Sequence, residues 1–203
     1  MGLTPNRREL MSDGAAAAAG LLAAGATASA LAPAASAVTT PAQVEARALT
    51  HAFQMEQLVV TAYRQVVASP VVHPPVLDQL RTHLDQEIEH VRLLQHALST
   101  RGEIVPAPPS LAAAQAELAG HKIHWSLTNL RNQHACLKLL IDVESLVENA
   151  YFDAVGKVQD HALLRTCAEI LGCEAQHWTV LSGFLNHRNP KKAAPYPFVE
   201  GTP

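Results

Sequence analysis

Two four-residue stretches, Glu87-Ile88-Glu89-His90 and Glu174-Ala175-Gln176-His177, decide how this 203-residue sequence is read. In a helix, a His three residues after a Glu lies about 300° around the axis and about 4.5 Å along it, so both side chains reach the same region. Each motif interrupts an apolar face: Glu87 and His90 share theirs with Leu84, Val91 and Leu94, and Glu174 and His177 with Ile170, Leu171 and Leu181. A single Glu-x-x-His carries little weight, because chance matches are common on charged helices. Two of them, each on a core-facing stripe, ask for a shared explanation.

The explanation extends outward to a repeat. Glu56 precedes Tyr63 by seven residues and Glu144 precedes Tyr151 by seven, while 87 − 56 = 31 and 174 − 144 = 30. The two halves thus carry one pattern, Glu-x6-Tyr followed by Glu-x-x-His. Glu56 falls on the Phe53, Val60, Tyr63 face and Glu144 on the Leu140, Val147, Tyr151 face. Four carboxylates and two imidazoles therefore point at one core. A buried unpaired carboxylate is very costly, few Lys or Arg share these faces, and two divalent cations would neutralise four glutamates. This is the residue set of carboxylate-bridged dimetal bundles, with one Glu from each of two helices and a Glu-x-x-His from each of the other two. The alternative is a metal-free bundle with a buried polar network. Glu148, one turn after Glu144, is an alternative or additional ligand; the repeat favours Glu144, since Glu148 corresponds to Val60.

Helix signals surround these residues. Thr40-Pro41-Ala42-Gln43 places Thr at N-cap, Pro at N1 and Gln at N3, and Ser69-Pro70 stops this first helix. Pro74-Pro75 opens a second that runs to Gly102, a natural C-cap. After a Pro-rich stretch, Ser110 caps a short Ala-rich helix ending at Gly120. A third long helix is predicted from Ser126 to Val155 and a fourth from His161 to Asn186. Strand and hairpin signals are absent. Connections that run short, long, short predict an all-α, ferritin-like four-helix bundle: two antiparallel helix pairs joined by a long crossover.

The stretches Glu56-Gln57-Leu58-Val59-Val60-Thr61-Ala62-Tyr63, Glu87-Ile88-Glu89-His90-Val91 and Ile170-Leu171-Gly172-Cys173-Glu174-Ala175-Gln176-His177 resemble exported ferritin-like domain proteins. That group is similar to the desiccation-related ferritin-like proteins and, more distantly, to bacterioferritin and rubrerythrin. The resemblance covers about Ala42 to Leu185. It implies that Glu56, Glu87, His90, Glu144, Glu174 and His177 are ligands to two Fe ions, or alternatively Mn, and it supports fold and site more than reaction. Tyr63 and Tyr151 are candidates for hydrogen-bond donors or radical-transfer sites beside the ligands, set against the commoner role of satisfied core tyrosines. His83 and His134 read as inner-face histidines, candidates to line an entry path set against the commoner satisfied or partly exposed role, and Trp178 as packing.

The ends complete the reading. Arg7-Arg8 ahead of an Ala-rich stretch, with Ala35-Ser36-Ala37 at A-x-A spacing, reads as a signal peptide over residues 1–37 of the twin-arginine type. Asn6 departs from the usual Ser or Thr, and an uncleaved Ala-rich anchor or a tail is the alternative. Residues 38–188 form the bundle and 189–203 a Pro-rich tail. A periplasmic, cell-envelope or secreted location follows, with no membrane association once the signal is removed. Net charge is −3, with no basic stripe to bind nucleic acid. Three cysteines without Cys-x-x-Cys spacing are no disulfide framework; they read as buried thiols. The expected function is redox chemistry toward O2 or H2O2 (ferroxidase, peroxidase or catalase-like) in stress defence, with a homo-oligomer left open. The alternative is a non-enzymatic envelope stress or desiccation-related protein with structural metal or none.

Overall fold

A computed structural model describes residues 39–187 and Asn189. The leader and all of the tail but Asn189 lie outside the described residues. Five helices follow one another: α1 (Pro41–Val67), α2 (Val76–Thr100), α3 (Leu111–Gly120), α4 (Gln133–Val155) and α5 (His161–Leu185). No strand occurs among the described residues.

Local chemistry sets the ends. The Thr40 hydroxyl accepts from Gln43 N while Gln43 Oε1 accepts from Thr40 N, a reciprocal capping box. Ser110, Asn132 and Asp160 cap α3, α4 and α5 in the same way, each accepting the N–H three residues on. Gly102, at φ 70°, closes α2: its N–H donates to Ser99 and that of Glu103 to Leu98, satisfying carbonyls that a helix end leaves bare. The third long helix starts seven residues later than the periodicity suggests. Over that segment the Ser126 hydroxyl accepts from Thr128 N and Asn129 N, holding a local turn that competes with the helix. Asn132 then supplies the real cap.

Polar contacts fix the direction of each helix. Glu45, at the start of α1, accepts from Gln159 N and Asp160 N in the α4–α5 turn. Arg101, just past α2, pairs with both Glu45 and Asp160. At the opposite end His73 N donates to Gln133 Oε1. Hence α1 and α5 run one way and α2 and α4 the other, and the chain from Arg101 to Asn132 must return along the bundle. α3 lies in this crossover. Gln57 donates to Pro106 O, Trp125 Nε1 to Asp142 Oδ2 and Leu127 N to Gln115 Oε1, while Leu118 and Leu127 sink into the core. α1 packs against α2 and α4, and α4 against α5, while α2 and α5 meet much more loosely. The buried stripe of α2 is Val76, Leu80, His83, Glu87, His90, Leu94 and Leu98, and that of α5 includes Cys167, Ile170, Glu174, His177 and Leu181. Leu84, Val91 and Leu171, expected inward, flank these stripes half-buried, as do Leu164 and Phe184.

Candidate metal centre

The four glutamates at the centre of the bundle come one from each long helix and are all fully buried. Two imidazoles face them. His90 Nδ1 lies 2.8 Å from Glu174 Oε1, 3.3 Å from Glu87 Oε2 and 3.6 Å from Glu56 Oε1. His177 Nδ1 lies 2.6 Å from Glu87 Oε1 and 3.6 Å from both Glu144 Oε1 and Glu174 Oε2. Glu87 and Glu174 therefore each give one oxygen to the His90 side and the other to the His177 side. The result is two groups of four donors, Glu56–Glu87–His90–Glu174 and Glu87–Glu144–Glu174–His177, that share two carboxylates. Within each group one donor atom per residue lies within 4.8 Å of the others.

The donor set fits cations better than it fits itself. Glu56 Oε2, Glu87 Oε1, Glu144 Oε2, both oxygens of Glu174 and His177 Nδ1 are buried without a hydrogen-bond partner. The 2.6 Å approach of His177 Nδ1 to Glu87 thus lacks hydrogen-bond direction. So many bare acceptors in one place would be prohibitive for a packed polar core, and they are what divalent ions satisfy. Without ions, burial, then the charge on Glu174, pushes the Glu56 carboxyl well up, and burial, then the charge on Glu87, does the same for Glu144. Burial opposes ionisation of Glu174 as well, yet the His177 and His90 imidazoles beside it hold it down to about 2.

The surrounding shell holds the donors in place. Tyr151 Oη donates to Glu56 Oε1 at 2.5 Å, and Tyr63 Oη donates to Glu144 Oε1. Each half's tyrosine thus secures the other half's outer glutamate. His177 Nε2 donates to Gln86 Oε1 at 2.8 Å, which turns Nδ1 toward the glutamates. Trp178 packs beside it and donates to Ser145 Oγ. Glu148 is buried but joins neither four-donor group. His134, expected on the inner face, is exposed in the first turn of α4, because the later helix start puts it at the bundle end, ten residues from Glu144. Cys136 and Cys167 are buried thiols, whereas Cys173 is half-buried, with Sγ 3.5 Å from His177 Nε2. Cys173, Gln86, His90 and Ile170 line a cleft of about 290 Å³ between α2 and α5. Sequence reasoning missed Gln86 and Cys173. Their only signal was adjacency to the two ligand-bearing motifs.

The sequence profile of the ferritin-like domain family matches residues 44–187. The chain belongs to the ferritin-like domain family. The match takes in α1 from its fourth residue, the other three long helices entire and both Glu-x-x-His motifs. This ferritin-like domain also resembles, in fold, the crystal structure of a conserved hypothetical protein, rv2844, from Mycobacterium tuberculosis. The TM-score is 0.60 at 17% identity, covering 81% of this chain and 100% of that one. Comparison with curated proteins gives no match. Family and cluster together make this a ferritin-like protein with a buried carboxylate–histidine centre suited to metal.

Proposed function

We propose that the protein is an exported dimetal-carboxylate oxidoreductase that reacts with O2 or H2O2 in stress defence. The observation that carries this reading is the pair of glutamates, Glu87 and Glu174, each facing both imidazoles with separate oxygens. Glu56 and His90 would complete one ion's ligand set, Glu144 and His177 the other's. Two Fe(II) ions so held would supply the two electrons that reduce H2O2 or begin reduction of O2. Carboxylate-rich donors favour Fe or Mn over softer metals, with imidazole permissive. The protein's own residues do the rest. Tyr63 and Tyr151 each hold a proton against an outer glutamate, Gln86 fixes the His177 tautomer, and the cleft at His90 and Cys173 offers a small oxidant its approach. Export by the twin-arginine route would let the folded chain take its metal before translocation. This rests on Arg7-Arg8 and the Ala-rich stretch.

The test is metal analysis of mature protein purified from the organism that exports it. About two Fe or Mn per chain, lost in Glu87→Ala and Glu174→Ala, with Fe(II) oxidised on adding H2O2, is the expected result. Protein that takes up neither Fe(II) nor Mn(II) would overturn the proposal and leave the non-enzymatic reading. Metal binding without turnover would make the ions structural. Gel filtration of the same sample separates a monomer or small homo-oligomer from a storage cage, and an N-terminus beginning near residue 38 marks cleavage of the leader.

A further inference from the structure

The two halves of the bundle match at Glu, at His and at Tyr, but they part company one turn before each Glu-x-x-His. Four residues ahead of Glu174 is Ile170, buried and apolar; four residues ahead of Glu87 is His83, 2% exposed. Packing alone is served at that position by an aliphatic side chain, as Ile170 shows. Burying an imidazole instead must be compensated by polar partners. His83 has them on the centre itself. One of its ring nitrogens, one oxygen of Glu144 and one nitrogen of His177 lie within 4.8 Å of one another, a third donor group beside the two that share Glu87 and Glu174. Its ring stacks on that of His177 with centroids 4.1 Å apart and planes at 23°. Its Nδ1 is 3.2 Å from Tyr63 Oη.

We propose that His83 is a third imidazole ligand, on the Glu144–His177 side, so that the two metal positions have unequal donor sets. The inference rests on the dimetal reading above. Tyr63 spends its single proton on Glu144, so a neutral His83 meets the Tyr63 oxygen with Nδ1–H. Ligation through the other ring nitrogen would then leave His83 held by a neighbouring acceptor, as Gln86 holds His177. The His90 position keeps three carboxylates and one imidazole; the His177 position has three carboxylates and two imidazoles. The nitrogen-richer position binds the first equivalent of a first-row ion such as Co(II) more tightly.

The test is a Co(II) titration of the chelator-stripped chain, followed by proton NMR of the paramagnetic complex. Each directly bound imidazole gives one exchangeable, strongly shifted ring N–H signal. Three such signals at full loading, one of them lost in His83→Ile, and a drop of roughly tenfold or more in only one of two binding steps, are expected. The Ile variant copies the packing of the other half, and His83→Asn serves as a second, polar replacement. Two shifted signals in the unaltered chain, both retained in either variant, would overturn the proposal while leaving the dimetal reading intact. A chain that binds no Co(II) would overturn both.

Discussion

At the residue scale, the centre is a problem in charge and hydrogen bonding that a few side chains resolve. Tyr151 and Tyr63 are the clearest case, because each supplies the donor for an oxygen that has no other. Tyr151→Phe leaves Glu56 Oε1 buried without a hydroxyl, at a cost of about 1–3 kcal/mol. Urea unfolding of the metal-free variant measures it, and Tyr63→Phe should cost a similar amount through Glu144. Cys173 makes a second prediction. Hydrogen bonds with His177, then His90, bring its thiol down to about 7, while burial raises Cys136 and lifts Cys167 to about 11. At pH 8 iodoacetamide should therefore label Cys173 first, because the thiolate is the nucleophile. Peptide mapping after brief exposure checks the order.

At the element scale, helix ends show where local chemistry suffices. Thr40, Ser110 and the Gly102 turn were legible as punctuation because capping is decided within four residues of chain. The start of α4 was not, since Leu127 and Leu130 continue an apolar pattern that non-helical chain uses equally well when the crossover tucks under the bundle. The short helix α3 closes on a left-handed residue that is no glycine: exposed Lys122, at φ 62°. Its N–H donates to Ala119 and that of Ile123 to Leu118. A side chain in that conformation costs about 1 kcal/mol, so Lys122→Gly should raise the melting temperature by about 2–4 °C. Differential scanning calorimetry reads the shift.

At the scale of the whole molecule, the bundle closes over four buried carboxylates that face two imidazoles. In metal-free protein Glu56 and Glu144 have raised folded pKa values. The folded state then binds more protons than the unfolded one above the ordinary carboxylate value of 4.5. Stability from these two groups is fully present below 4.5 and falls as pH rises through their folded values. Glu174, held down to about 2, acts oppositely: its contribution is present above 4.5 and is lost as pH falls toward 2. Buried His83, lowered to about 3, adds stability as pH rises to its ordinary 6.5, so metal-free protein should melt at progressively lower temperature between about pH 6.5 and pH 8. Loading with Fe(II) or Mn(II) under argon should reverse that trend, because ion binding needs the carboxylates deprotonated and strengthens with pH. Circular-dichroism melts across this range, with and without ions, decide the sign.

The sequence by itself determined the helical periodicity, the order and approximate ends of the helices, and the duplicated pattern that singles out Glu56, Glu87, His90, Glu144, Glu174 and His177. These are properties of spacing, and spacing along a helix fixes which side chains share a face. Only the tertiary structure decided which half each side chain serves. Tyr63 and Tyr151 cross to the opposite half, and Gln86 reaches from α2 to His177 on α5. The same holds for His83, set against Tyr63 and His177, and for Glu148, buried but a member of none of the donor groups. Contacts between residues 20 to 95 positions apart depend on how the helices rotate against one another. That rotation is set by packing the whole core at once, and no local stretch of sequence records it.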